Sequence, residues 1–128
     1  MIFEAGFTSC TATSVAAFDE ILTAVVSTTI SEAAVLVREI RVQVGVLRTP
    51  VSIRVYCDPK EEPCYFFELS RYMNPEAGSE ARRITQRRAE SEVDALRLAA
   101  RMLTEDYEAA IRSGKLPEDS WLVPGDPR

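Results

Sequence analysis

A chain of 128 residues and 14.3 kDa has room for one compact domain with a core and too little for two ordinary ones. Apolar residues make up 46% and charged residues 27%, close to the soluble globular norm and far from disordered, collagenous or disulfide-rich compositions. The longest apolar runs, such as Ala33–Val37, reach five residues, where a membrane-spanning helix needs about 20, and a net charge of -5 opposes non-specific attraction to nucleic acid or anionic lipid.

In chain order, Met1–Phe7 reads as an edge strand. Ser14 to Ser27 follows as an amphipathic helix: Val15, Phe18, Leu22 and Val25 share a face, Thr13 or Ser14 caps it, and Asp19 and Glu20 sit in its early turns. Ser31 to Arg38 fits either a helix start or a strand. From Ile40 the period changes to two: Ile40, Val42, Val44 and Val46 alternate with Arg41, Gln43 and Gly45, as on a half-buried strand. Leu47 to Pro50 makes a turn, and Val51, Ile53, Val55 and Cys57 form the apolar side of a second strand. Asp58–Pro63 is a polar connection. Cys64 to Tyr72 reads as a third strand with Tyr65, Phe67 and Leu69 on one face, and Glu80–Gln86 as a further edge strand. A long helix spans Glu92 to Arg112, capped by Ser91 with Asp94 three residues on. Its expected stripe is Val93, Leu96, Ala100, Leu103, Tyr107 and Ala110, and Gly114 and Pro117 end it. The expected architecture is a single α+β domain over residues 1–128: an antiparallel sheet of three to five strands, two amphipathic helices packed on one face, and an extended C-terminal tail from 115 to 128.

The chemistry is narrowed most by a residue that is missing. The chain has no histidine, so Ser-His-Asp and Cys-His catalysis and His-containing metal sites are excluded. Three scattered cysteines, Cys10, Cys57 and Cys64, lack the C-x-x-C spacing of a zinc site. An odd thiol count with no charged signal-peptide start over Met1–Cys10 leads to the expectation of a reducing, cytoplasmic location. The five glycines build no nucleotide-binding loop. Cys57 alternates with Val55 and Ile53 and reads as a core residue. The acid pairs Glu61-Glu62, Glu105-Asp106 and Glu118-Asp119 read as solvated surface. No enzyme, cofactor or metal is therefore expected.

Charge is distributed unevenly. Residues 1–37 sum to -4, residues 38–88 to +3 and residues 89–128 to -4. Within the basic block Arg41 and Arg54 lie on outward positions of adjacent expected strands, near Tyr56, and Arg71, Arg82, Arg83, Arg87 and Arg88 follow. Convergence of these guanidiniums on an uncovered sheet face would suit an acidic protein or a phosphate-bearing partner. Pairing with the chain's own acids, such as Glu90 and Glu92, is the plainer alternative. Trp121, in the tail, either anchors a partner or folds back onto the core.

Helix, three strands and helix, with basic residues ahead of the last helix, resemble the double-stranded-RNA-binding domain. That family carries a Lys-rich cluster at the start of its last helix, facing phosphates, and the matching segment here, Glu90-Ser91-Glu92-Val93-Asp94, would repel them. The ending, with Ala95, Ala99 and Ala110 in a helix followed by Ser113-Gly114-Lys115-Leu116-Pro117 and Trp121, resembles bacterial HicB-type antitoxins and some small immunity proteins. That resemblance implies a non-catalytic domain that neutralises a toxin by binding it. The expected function is binding of a protein partner, acidic or a second copy of this chain. The alternative is a small-molecule-binding domain with an apolar pocket lined by Phe18, Tyr65, Phe67 and Tyr107.

Overall fold

Alternating apolar residues build the sheet. The computed structural model describes residues 33–76 and 86–126, together with positions 20, 22, 24, 25 and 30. Strands β1 (Val35–Val42), β2 (Val51–Cys57), β3 (Tyr65–Leu69) and β5 (Arg88–Ala89) form a four-stranded antiparallel sheet in the order β1-β2-β3-β5. A short ribbon pairs β4 (Arg71–Met73) with β6 (Leu122–Pro124). One long helix, α1 (Glu92–Arg112), packs on the sheet, and a single 3-10 turn, Asp119–Trp121, leads into β6. The molecule is thus an α+β domain with one helical and one open sheet face among the described residues.

The second strand sets the core. Val51, Ile53, Val55 and Cys57 are buried while Ser52, Arg54 and Tyr56 between them are half-buried, the period-two pattern of a strand covered more heavily on one face. Phe67 and Leu69 of β3 face the same way. The expected third strand breaks at Ser70, where the chain leaves one sheet for the other. The Ser70 N–H donates to the Ser52 carbonyl (3.0 Å), its Oγ accepts from the Ser52 N–H (2.8 Å), and its carbonyl accepts from Gly125 N–H (3.0 Å). Residues expected as extended tail therefore return to the body of the domain.

Two expectations are corrected. The first strand runs over Val35–Val42 and not Ile40–Val46, because Gly45 adopts φ 55° and turns the chain. Val44 and Leu47 are buried by this loop, and Val46 is 70% exposed. The ambiguous stretch before Ile40 is thereby strand from Val35 onward. The helix is placed as expected, with the Asp94 N–H donating to Ser91 Oγ (3.1 Å), but its buried line is Ala95, Ala99, Leu103 and Ala110. Val93 is 53% exposed and Ala100 is exposed. Ala95 and Ala99 are fully buried, while Leu96 packs against the margin of the core. The expected helix at Ser14–Ser27 falls largely outside the described residues, as do the expected strand at Met1–Phe7 and most of that at Glu80–Gln86. Of the helix span, Leu22 is buried and Val25 exposed.

Candidate functional site

The face of the sheet opposite α1 is organised in rows by strand register. Leu36 lies opposite Tyr56, Tyr56 opposite Phe66, and Phe66 opposite Arg88, so one continuous row crosses all four strands. Directly opposed residues of an antiparallel pair point to the same side and touch. Accordingly the Tyr56 and Phe66 rings stack at 5.2 Å with an interplanar angle of 15°. The Arg88 guanidinium lies over the Phe66 ring, 4.9 Å from its centroid, a cation–π arrangement that fixes its plane. Arg88 also donates to the Pro63 carbonyl (3.2 Å) and approaches Glu61 at 3.9 Å. At the other end of the row Leu36 is 46% exposed.

A second row runs alongside. Glu39 lies opposite Arg54 and Arg54 opposite Glu68, with Arg54 Nε donating to Glu39 Oε2 at 2.6 Å. Both side chains of that pair are well exposed, so the bond orders the surface and contributes little stability. Arg41 extends the face opposite Ser52. A row of aromatic and aliphatic groups beside a row of alternating charge can bury apolar area against a protein while the charges set orientation.

Arg41, Arg54, Tyr56 and Arg88 are thus brought onto one face. Arg71 belongs to the ribbon strand opposite Pro124, and Arg82 and Arg83 lie outside the described residues. Arg87 is half-buried and clamps the C-terminal segment: its guanidinium pairs with both carboxylate oxygens of Asp126, and Asp126 Oδ2 in turn accepts the Leu69 N–H (2.7 Å). Trp121 is buried in edge contact with Tyr107 at 5.8 Å, and closes the core. The basic block accordingly does not converge as a single cationic patch, since Glu39, Glu61 and Glu68 interleave with its arginines.

Sequence reasoning missed Leu36 and Phe66. Phe66 was recoverable, since it alternates with the inward Tyr65 and Phe67. Leu36 was not, because a β-bulge between Leu36 and Arg38 shifts the parity of the strand: residues 36 and 40 would share a face on a regular strand, yet Leu36 faces outward and Ile40 inward. The same bulge turns Arg38 toward the helix side, where it pairs with Glu92; this neighbour raises the arginine's already high pKa.

On the helix side, a groove of about 540 Å3 lies between the β1 end of the sheet and α1, walled by Ile40, Val42, Val93, Leu96, Ala100 and Tyr107. It differs from the expected pocket: Phe67 is fully buried in the core, Tyr65 is not part of the wall, and Phe18 is outside the described residues. Cys57 is fully buried, and burial together with the neighbouring Cys64 thiol and Asp58 pushes its pKa up to about 12. Among the described residues no group of acids and cysteines could hold a metal ion, and no helix is long and apolar enough to cross a membrane. No family model, curated protein or solved structure matches this chain.

Proposed function

We propose that this chain is a non-catalytic protein-binding domain, an accessory, antitoxin-like or immunity-like partner binder, whose contact surface is the open sheet face. The observation that carries the reading is the row Leu36–Tyr56–Phe66–Arg88 crossing all four strands. Aromatic residues and arginine dominate interface energetics, because they bring large rigid area with one polar handle. Here two rings and a guanidinium are already stacked on one another, so little side-chain freedom is lost on binding. Absence of histidine and a protonated, buried Cys57 thiol support a role without nucleophilic chemistry. The partner that fits presents an apolar ridge to the row, with acidic groups opposite Arg41 and Arg88.

Tyr56→Ser combined with Phe66→Ser tests the proposal. Both residues stand on the open face, so the variant is expected to keep its helical circular dichroism and cooperative melting. It is also expected to lose capture of the partner that the parent chain retains from its native host. A folded double variant that captures the same partner equally well contradicts the reading.

The groove between β1 and α1 supports a second reading, an apolar small-molecule site. Its volume suits a drug-sized ligand, and Tyr107 and Thr104 offer hydroxyls among apolar walls. An anilinonaphthalene sulfonate probe is then expected to bind saturably at one per chain, and Ala100→Trp, which fills the groove from its exposed flank, to abolish that binding.

A further inference from the structure

The outer edge of β1 carries a separate message, independent of the open-face reading. In the order β1-β2-β3-β5, β1 is the terminal strand, and among the described residues nothing pairs with its far side. It is eight residues long, whereas β5 at the other end has two. A bare edge of that length presents a ladder of backbone donors and acceptors ready to accept another strand. The bulge between Leu36 and Arg38 interrupts that ladder and leaves Arg38–Val42 as its regular part.

We infer that this edge pairs antiparallel with the same edge of a second copy, about a two-fold axis at Ile40. Ile40 is the midpoint of the regular segment 38–42, and two-fold pairing of a strand with itself makes each contact occur twice. The axis at Ile40 sets Ile40 opposite Ile40 of the second copy on the helix side, and Glu39 opposite Arg41 of the second copy, twice, on the open side. Charge selects this register. Centring one residue earlier would oppose Glu39 to Glu39, and one residue later Arg41 to Arg41, and like charges directly opposed across strands are destabilising. Burial agrees with it. Ile53, beside Ile40 in the sheet, is 1% exposed, while Ile40 is only half-buried and forms a wall of the apolar groove. A second Ile40 supplies the cover that the end of the sheet lacks. The assembly continues the sheet through eight strands and joins the two open faces into one surface.

Sedimentation equilibrium of the full chain at low salt, with the melting curve of each variant as a folding control, tests this. The parent is expected to form a reversible dimer of twice 14.3 kDa. Arg41→Glu sets Glu against Glu39 in the dimer, and Glu39→Arg sets Arg against Arg41. Each alone is expected to raise the dimer dissociation constant on the order of tenfold or more. Mixing the two variants restores both opposite-charge pairs and is expected to restore dimer mass, as is the doubly exchanged chain. Glu39→Arg also removes the bond to Arg54, so Arg41→Glu with the doubly exchanged chain carries the test if that variant fails to fold. A parent that stays monomeric, with the edge bare or covered by residues 1–32, overturns the inference. So does a dimer whose mass is indifferent to these charge reversals, or a mixture that remains monomeric.

Discussion

At the scale of single residues, Gly45 is under the tightest constraint. It combines φ 55° with a position where an added Cβ would overlap the Tyr107 ring and hydroxyl. The Val46 N–H beside it donates to Tyr107 Oη at 3.3 Å. Left-handed backbone costs a non-glycine residue roughly 1–2 kcal/mol, and overpacking adds about 1–3 kcal/mol. Gly45→Ala is therefore expected to destabilise the domain by about 2–5 kcal/mol in urea unfolding, and the loss to be partly relieved when Tyr107→Ala is added. Strict additivity of the two changes would show that the ring is not what excludes the Cβ. Cys57 gives a pH dependence. Burial, the largest cause, with the Cys64 thiol and Asp58, raises its pKa to about 12, so the folded state keeps a proton that the unfolded chain releases near the ordinary thiol range. The stabilisation is complete below about pH 8.5 and is lost as pH rises toward about 12, with a limiting slope of about 1.4 kcal/mol per pH unit. Relative to Cys57→Val, the parent should lose stability between neutral and alkaline pH. Parallel stability curves would contradict a buried neutral thiol.

At the scale of elements, the long helix and β2 were legible from the sequence because their signals are local: Ser91 caps, Gly114 and Pro117 stop, and Val51 to Cys57 alternate strictly. The buried face of α1 was legible in part: of the expected stripe, Leu103 and Ala110 are buried and Leu96 and Tyr107 pack against the core. Apolar periodicity also selected Val93 and Ala100, which are exposed, and passed over Ala95 and Ala99, which are buried, small residues with a weak apolar signal. Leu103→Asp, at a 1% exposed position, is expected to abolish cooperative melting, since it buries an unpaired charge. Val93→Asp is expected to be tolerated within about 1 kcal/mol. Comparable loss in both would return Val93 to the core. The bulge in β1 marks another limit, because a single extra residue reverses the facing of Leu36 and no residue-level signal announces it. The break at Ser70 left only a weak trace: the inward parity of Tyr65, Phe67 and Leu69 ends at the polar pair Ser70-Arg71, and the returning β6, with the Arg87–Asp126 clamp beyond it, divides the strand there.

At the scale of the whole molecule, a helix covers one side of the sheet and, among the described residues, the other side presents stacked aromatics beside a charged row. The uneven charge along the chain was legible, and its basic block holds Arg41, Arg54, Tyr56 and Arg88, which strand register sets on one face. Their face also holds Glu39 and Glu68, brought in by β1–β2 and β2–β3 register, and such pairings are not readable from composition. The surface is therefore an apolar strip beside alternating charge, and under the proposed protein-binding role a partner is expected to associate with only modest salt dependence. The measurement that bears most directly on this account is hydroxyl-radical footprinting of the chain with and without the partner captured by the parent protein. Oxidation of Leu36, Tyr56 and Phe66 is expected to fall several-fold in the complex while that of Val93, Leu96 and Tyr107 along the groove is unchanged. Protection confined to the groove residues, with Tyr56 and Phe66 oxidised as in the isolated chain, would contradict it.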